Sequence, residues 1–278
     1  MCVSMDLAEF SGTTLYAGRH RHRRRGLVEV LGYQNTPVNR ADGPNAMLLH
    51  LPARAPMSPG SFLPVGSGDE GVLDRMVEAV SPAPAGAAAM AWMGAPAAAA
   101  AVQVFEHDVY TVLLAADATL IPEALARVAP HRRPRLDPAL MEFYADCYPG
   151  HTLAVCCFDG ADAHRAKPLL MWYEPADPDR IVVPAVDCHT GGPPRLDEPV
   201  ATDHWVIFGG DGMPDGWGSP VAYPAGTSRS LRRYLPDRVA GRRFADPAAP
   251  NGDFAITLDD LREGDLDGIH RLRPAVRR

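Results

Sequence analysis

VQVFEHDVYTVLLA (102–115), LIPEALARV (120–128), LDPALMEFYADCY (136–148), HTLAVCCFDG (151–160) and PLLMWYEP (168–175) follow one another in mid-chain, and their order decides the fold class. The first is rich in β-branched and aromatic residues and reads as one or two strands. The second and third read as helices, with Pro122 and Pro138 in a first turn, where a missing N–H is harmless, and Asp137 as an N-cap. Leu140, Phe143, Tyr144 and Cys147 recur at helical spacing. The last two are apolar runs of strand length. Strand, helix, helix, strand, strand, with turns too short for helical crossovers, predicts an α+β fold: mostly antiparallel sheet with a few helices packed on one face.

Working outward, LVEVLGY (27–33), AMLLHLP (46–52), IVVPAVD (181–187) and DHWVIFGG (203–210) add strands. The expected set is strands at 27–33, 46–51, 102–115, 151–158, 168–174, 181–187 and 204–208, with helices at 122–129 and 138–147. DEGVLDRMVEAV (69–80) fits a further helix with an acidic start. QNTPVNRADGPN (34–45) has the composition of a loop, and Arg19–Arg25 that of an exposed loop or hairpin tip. An Ala/Pro excursion of low complexity occupies residues 81–101, and residues 210–278 look loop-rich. A chain of 278 residues is expected to form one elaborated domain over 1–278.

Composition excludes some functions. A net charge of −7 argues against nucleic acid as a partner. The longest apolar stretch, Ala83–Ala101, is alanine-rich and broken by Pro84, Gly94 and Pro96, so no membrane span is expected. No secretory signal is visible, and five cysteines form no disulfide framework; a cytoplasmic, reduced protein is expected. Lys167 is the only lysine, and with abundant Ala and Pro this suggests GC-rich bacterial coding.

Four constellations could carry chemistry. In the first, removal of Met1 would leave Cys2 with an α-amine beside its thiol, a nucleophile and a base on one residue. The opening MCVSMDLAEFSGTTLYAGR resembles the start of choloylglycine-hydrolase and penicillin-acylase type N-terminal-nucleophile proteins, in which such a cysteine is followed by a strand, a turn and a second strand ending in Gly-Arg. The resemblance implies Arg19 across a neighbouring strand, reached through a turn near Ser11–Gly12; the Asn-x-Asp that follows in the family is replaced here by His20, Arg21 and His22. In the second, the amide-rich loop around Gln34, Asn35, Asn39 and Asn45 would supply oxyanion donors, Asn35 or Asn45 foremost; the same residues equally suit turns. In the third, VDCHTGGPPR (186–195) sets Asp187, Cys188 and His189 at a strand end, a place for a cleft and for substrate binding, although neighbouring side chains point to opposite faces. That string is similar to the DxHTGGEPxR motif of proline racemases, but the companion MCGHG and PCGTG motifs are missing. In the fourth, His189, Asp203, His204 and Asp187 could offer metal ligands, yet no HExxH or CxxC spacing supports it. No metal and no cofactor are expected.

Over residues 28–208 the order of NAMLLHLP, YPGHTLAVCCFDG, PLLMWYEP and IVVPAVD resembles bacterial families of unknown function of the DUF2330 type. Two classes of function remain: an amidohydrolase acting on a linear amide through Cys2, or a non-catalytic domain binding a small molecule or a protein.

Overall fold

The computed structural model describes residues 3–66, 68–81 and 101–274. Cys2 and most of the Ala/Pro excursion lie outside the described residues. In chain order the strands are β1 (Val3–Ser4), β2 (Ala8–His22), β3 (Gly26–Asn39), β4 (Asn45–Leu51) and β5 (Phe62–Leu63), followed by helix α1 (Val72–Val80). Strands β6 (Val102–His107) and β7 (Tyr110–Ala115), the single turn α2 (Ile121–Ala124) and helix α3 (Pro138–Cys147) come next. Then come β8 (Thr152–Phe158), β9 (Leu169–Tyr173), β10 (Arg180–Val183), β11 (Pro199–Gly210), β12 (Ser219–Pro220) and α4 (Arg229–Arg232). The described chain ends with β13 (Arg238–Pro250), β14 (Asp253–Thr257), α5 (Leu258–Glu263) and β15 (His270–Leu272).

Among the described residues these strands form three sheets, ordered β1-β4-β8-β7-β6, β12-β13-β11-β2-β3-β9-β5 and β10-β14-β15. Neighbouring strands are antiparallel except β2 and β11, which run parallel from Thr13–His204 to Arg19–Gly210. The α+β expectation with mostly antiparallel sheet holds.

Alternation along the strands explains the layers. In β8, Ala154 and Cys156 face one way with Met47 and Leu49 of β4, and meet Leu15, Leu31, Val206 and Phe208 of the second sheet. Val155 and Cys157 face the other way, onto Ile121, Leu140, Met141 and Tyr144 of α2 and α3. The two expected mid-chain helices thus share one face. The outer face of the second sheet carries Tyr16, Val30 and Ile207, covered by Val72, Leu73 and Met76 of α1. Each such side chain contributes about 1.5–3 kcal/mol by leaving water. Asp137 caps α3, its Oδ1 accepting from the Ala139 N–H at 3.0 Å.

Three expectations need correction. Residues 34–39 are not loop: β3 continues to Asn39, opposite Ala8 of β2. Ser11–Gly12 is not a turn but a bulge inside β2, where Gly12 takes φ +59°. Within the stretch expected to be loop-rich, residues 238–250 are not loop: β13 pairs with β11 along almost its full length.

No disulfide forms among the described cysteines. Cys156 and Cys157 are fully buried, and burial pushes the Cys157 thiol up to about 12. Cys188 is half-buried. A thiol reagent applied to the native protein should therefore label Cys188 well before Cys156 or Cys157, read by peptide mass mapping. Equal labelling of all three would contradict the buried strand.

Candidate functional site

Arg19 stands opposite Glu29 across the β2–β3 ladder, and both side chains are almost wholly buried. Its Nε donates to Glu29 Oε2 at 2.5 Å. The remaining guanidinium nitrogens donate to the carbonyls of Asp177, Pro178 and Arg180. Tyr173 completes the cluster, its hydroxyl donating to Glu29 Oε1 at 2.6 Å. Burial pushes the Glu29 carboxyl above its usual range, against the pull of Arg19 and Tyr173. This arginine fastens the 177–180 loop to the sheet. It is engaged where a thiolate or substrate carboxylate would have to sit, so the expected role for Arg19 is corrected.

Asn45 is equally committed. Its Oδ1 accepts from the Asp6 and Ala46 N–H groups, and its Nδ2 donates to the Asp6 carbonyl and to Asn39 Oδ1. It is fully buried and ties the β1–β2 link to β4. Asn35 lies on β3 and donates to the Tyr33 hydroxyl at 2.7 Å. The two amides are knots in the scaffold rather than a pair of oxyanion donors. The strand following Cys2 is also not a neighbour of Arg19: β1 pairs with β4, and Val3 forms a parallel bridge with Cys188.

That bridge belongs to the third constellation. After β10 the chain is gripped by Asp253, whose Oδ1 accepts from the Ala185 and Val186 N–H groups at 2.8 and 3.2 Å. Asn251 then clamps both backbone groups of Asp187. The carbonyls of Cys188 and His189 accept from Ser4 and Ala8. Gly191 follows at φ +86°, where a Cβ would fall 2.7 Å from the Met5 carbonyl oxygen, so only glycine fits.

Held in this way, Asp187 Oδ1 lies 2.6 Å from His189 Nε2, an ion-pair contact off the line of a good hydrogen bond. Phe10 packs edge-on against the His189 ring, with centroids 4.8 Å apart. Cys188 turns away, its Sγ 3.3 Å from Thr190 Oγ1 and from the Gly192 carbonyl, and shares no proton with His189. A cleft of about 460 Å³ opens here, lined by Phe10, Thr13, Asp187, His189, Asp203 and His204 among others. Burial holds His204 down at about 2, so its ring is neutral. Asp246 adds a third carboxylate to the lining, and Arg243, its one arginine, is paired with Asp203 at 2.8 Å. The balance is acidic. Among the described residues no cluster of three or more His, Cys, Asp or Glu side chains could hold a metal ion.

Sequence reading missed the support behind this cleft. His50 Nε2 lies 3.0 Å from both oxygens of Asp253, and the Tyr148 hydroxyl donates to the same carboxylate. Burial works to raise the Asp253 carboxyl, but His50, the Ala185 N–H and Tyr148 outweigh it and hold it below the usual range. A cavity of about 270 Å³ beside them is lined by His50, Tyr148 and His151, and burial holds His151 down at about 4. The available signal was a lone histidine in the apolar strand AMLLHLP: a polar ring buried there needs a partner.

Among the described residues no helix is long and apolar enough to cross a membrane. No family model matches the chain, and no curated protein matches it. Among solved structures, baculovirus P35 is similar at 12% identity over 93% of this chain and 92% of that one, with a TM-score of 0.44. A mutated baculovirus P35 after caspase cleavage is similar at 11% identity over 90% and 91%, with a TM-score of 0.42. A chain of the caspase-8/P35 complex is similar at 12% identity over 71% and 64%, with a TM-score of 0.40. At these TM-scores the likeness carries no functional argument.

Proposed function

We propose that this chain is a binding domain, and that the cleft at Asp187–His189 takes a small ligand bearing an amine. The observation that carries this reading is the charge of the lining: Asp187, Asp203 and Asp246 face one arginine, Arg243, which pairs with Asp203, and a neutral His204, while the His189 ring lies 2.6 Å from Asp187. A cationic nitrogen entering there meets acceptors on several sides, and charge-assisted hydrogen bonds of this kind contribute about 1.5–3 kcal/mol each. The backbone of Asp187–His189 is fixed on both sides, so the carboxylate is set before the ligand arrives. Calorimetric titration with putrescine, agmatine and an arginine amide tests it. Binding of at least one is expected, with Asp187→Asn weakening it about tenfold, the equivalent of about 1.4 kcal/mol. No heat at millimolar amine, or an unaffected Asp187→Asn variant, rejects the reading.

A second reading keeps a cysteine-dependent hydrolase of linear amides, and one observation favours it: the bridge from Val3 to Cys188 sets the start of the described chain beside His189 and Asp187. In that version His189, not Arg19, is the basic partner. Retention of Met1 in the intact mass, or turnover of an acyl-amide panel unchanged by Cys2→Ala, eliminates it.

A further inference from the structure

The β2–β3 hairpin ends in Arg21, Arg23, Arg24 and Arg25, and Arg233 after α4 comes to the same place. Together they border an open cleft of about 830 Å³. Among the described residues, none of these five arginines forms a salt bridge, whereas Arg232 next to them pairs with Asp237. The one acid in the lining is Asp211, and it is engaged: it accepts from the Arg21 backbone N–H at 2.7 Å and lies 3.5 Å from His20 Nδ1. Arg25 stacks over the Trp172 ring with its guanidinium carbon 4.0 Å from the centroid; leaving the other four guanidinium groups without a carboxylate around one cleft is unfavourable by their mutual repulsion, and a chain with a net charge of −7 has carboxylates enough to pair them. One wall is aromatic, with the His22 and Tyr234 rings stacked at 5.7 Å and inclined by only 10°.

We infer that this cleft is a binding site for a compact polyanion carrying several phosphate groups, a site separate from the Asp187–His189 cleft. Guanidinium forks match phosphate oxygens two at a time, and the four of Arg21, Arg23, Arg24 and Arg233 exceed what a single carboxylate can use. The volume suits a ligand of nucleotide size, and the stacked His22–Tyr234 wall offers a flat ring a place to lie. Compactness follows from the whole-molecule charge. A long polyanion would run from the cleft over an acidic surface, while a small one stays inside the field of the arginines. His22 is held below its ordinary value first by burial and then by Arg25, Arg24 and Arg233, so it reports on this field.

Inorganic tripolyphosphate is the probe. It should bind the full chain at low ionic strength and weaken as salt is added. Replacing Arg23, Arg24 and Arg233 together by glutamine should weaken it at least tenfold with an unchanged thermal midpoint, since these exposed side chains make no contact that the fold needs. The imidazole of His22, followed by NMR, should titrate at higher pH when the probe is present, a readout that does not depend on any variant. Absence of binding, binding equal in the triple variant, or an unmoved His22 overturns the site. Tighter binding of duplex DNA or of a polyglutamate peptide at the same salt overturns the assignment to a compact ligand.

Discussion

Arg19→Ala lowers the stability of the fold by about 3–5 kcal/mol, the cost of breaking a buried ion pair from one side. The expectation rests on what remains after the side chain is gone. Glu29 is left in the interior with only the Tyr173 hydroxyl against its charge, and the carbonyls of Asp177, Pro178 and Arg180 lose their donor. Domains of ordinary stability hold about 5–15 kcal/mol in total, so one substitution removes about a fifth or more of the margin. Urea unfolding followed by circular dichroism gives the number. Arg243→Ala serves as the contrast: its pair with Asp203 is half in solvent on both sides, and such pairs contribute about 0–1 kcal/mol. Equal midpoints for the two variants would show that the Arg19 cluster does not hold the sheet to the 177–180 loop.

The second large effect is on acid stability. His151 is held at about 4 and His204 at about 2, each chiefly by burial, while an unfolded histidine titrates near its ordinary 6.5. Between these values the unfolded chain binds protons that the folded chain refuses. Stability is therefore complete above pH ~6.5 and falls as the pH drops, by about 1.4 kcal/mol per pH unit for each histidine. From pH 6.5 to 4 both act, and the slope is about 2.8 kcal/mol per unit. Asp253 adds to the loss at lower pH: its carboxyl is depressed in the fold, so its contribution is present above the unfolded carboxylate range and vanishes as the pH falls through its folded value. Urea midpoints measured at half-unit steps should trace this line, and His151→Gln or His204→Gln should each halve the slope. A stability that stays level from pH 6.5 to 4.5 would falsify the neutral assignment of both rings.

What the sequence could disclose depended on whether a residue's environment was local. α3 was legible to the residue because Asp137, Pro138 and the spacing of Leu140, Tyr144 and Cys147 act within one turn. The helix expected at 122–129 shrinks to one α turn and then tightens into a 3₁₀ turn over Leu125–Arg127, a change in the last hydrogen bonds that composition does not encode. β13 was not legible. Most of its side chains are exposed or half-exposed, and it is a strand because β11 offers it a ladder, not because its residues prefer one. The site followed the same rule. Asp187 and His189 reach the cleft although the strand expected through Asp187 ends at Val183; the Asn251 side chain and the Ser4 and Ala8 N–H groups hold them there, and Cys188 turns away. Arg19 and Asn45 were chosen for chemistry that a free side chain could do, and the structure engages both: Arg19 from residues 177–180, far along the chain, and Asn45 from Asn39 close by and from Asp6 just ahead of β2. Asp253 and His50 meet across about as great a distance in sequence, and only the isolation of His50 in an apolar strand hinted at it.

The parallel ladder between β2 and β11 sets the timing of folding. Thr13 cannot meet His204, nor Arg19 Gly210, until some ~190 further residues have been made, and at about 5–20 residues per second synthesis takes roughly 10–40 s to supply them. Through that interval the β2–β3 hairpin can close, but one full edge of β2, with Leu15 and Tyr16 on it, has no neighbour. An open edge of that kind invites pairing with another nascent chain. High contact order slows the search even after release. The nascent chain is therefore most exposed to aggregation before β11 is complete, and a truncation ahead of Pro199 removes the strand that ends the exposure.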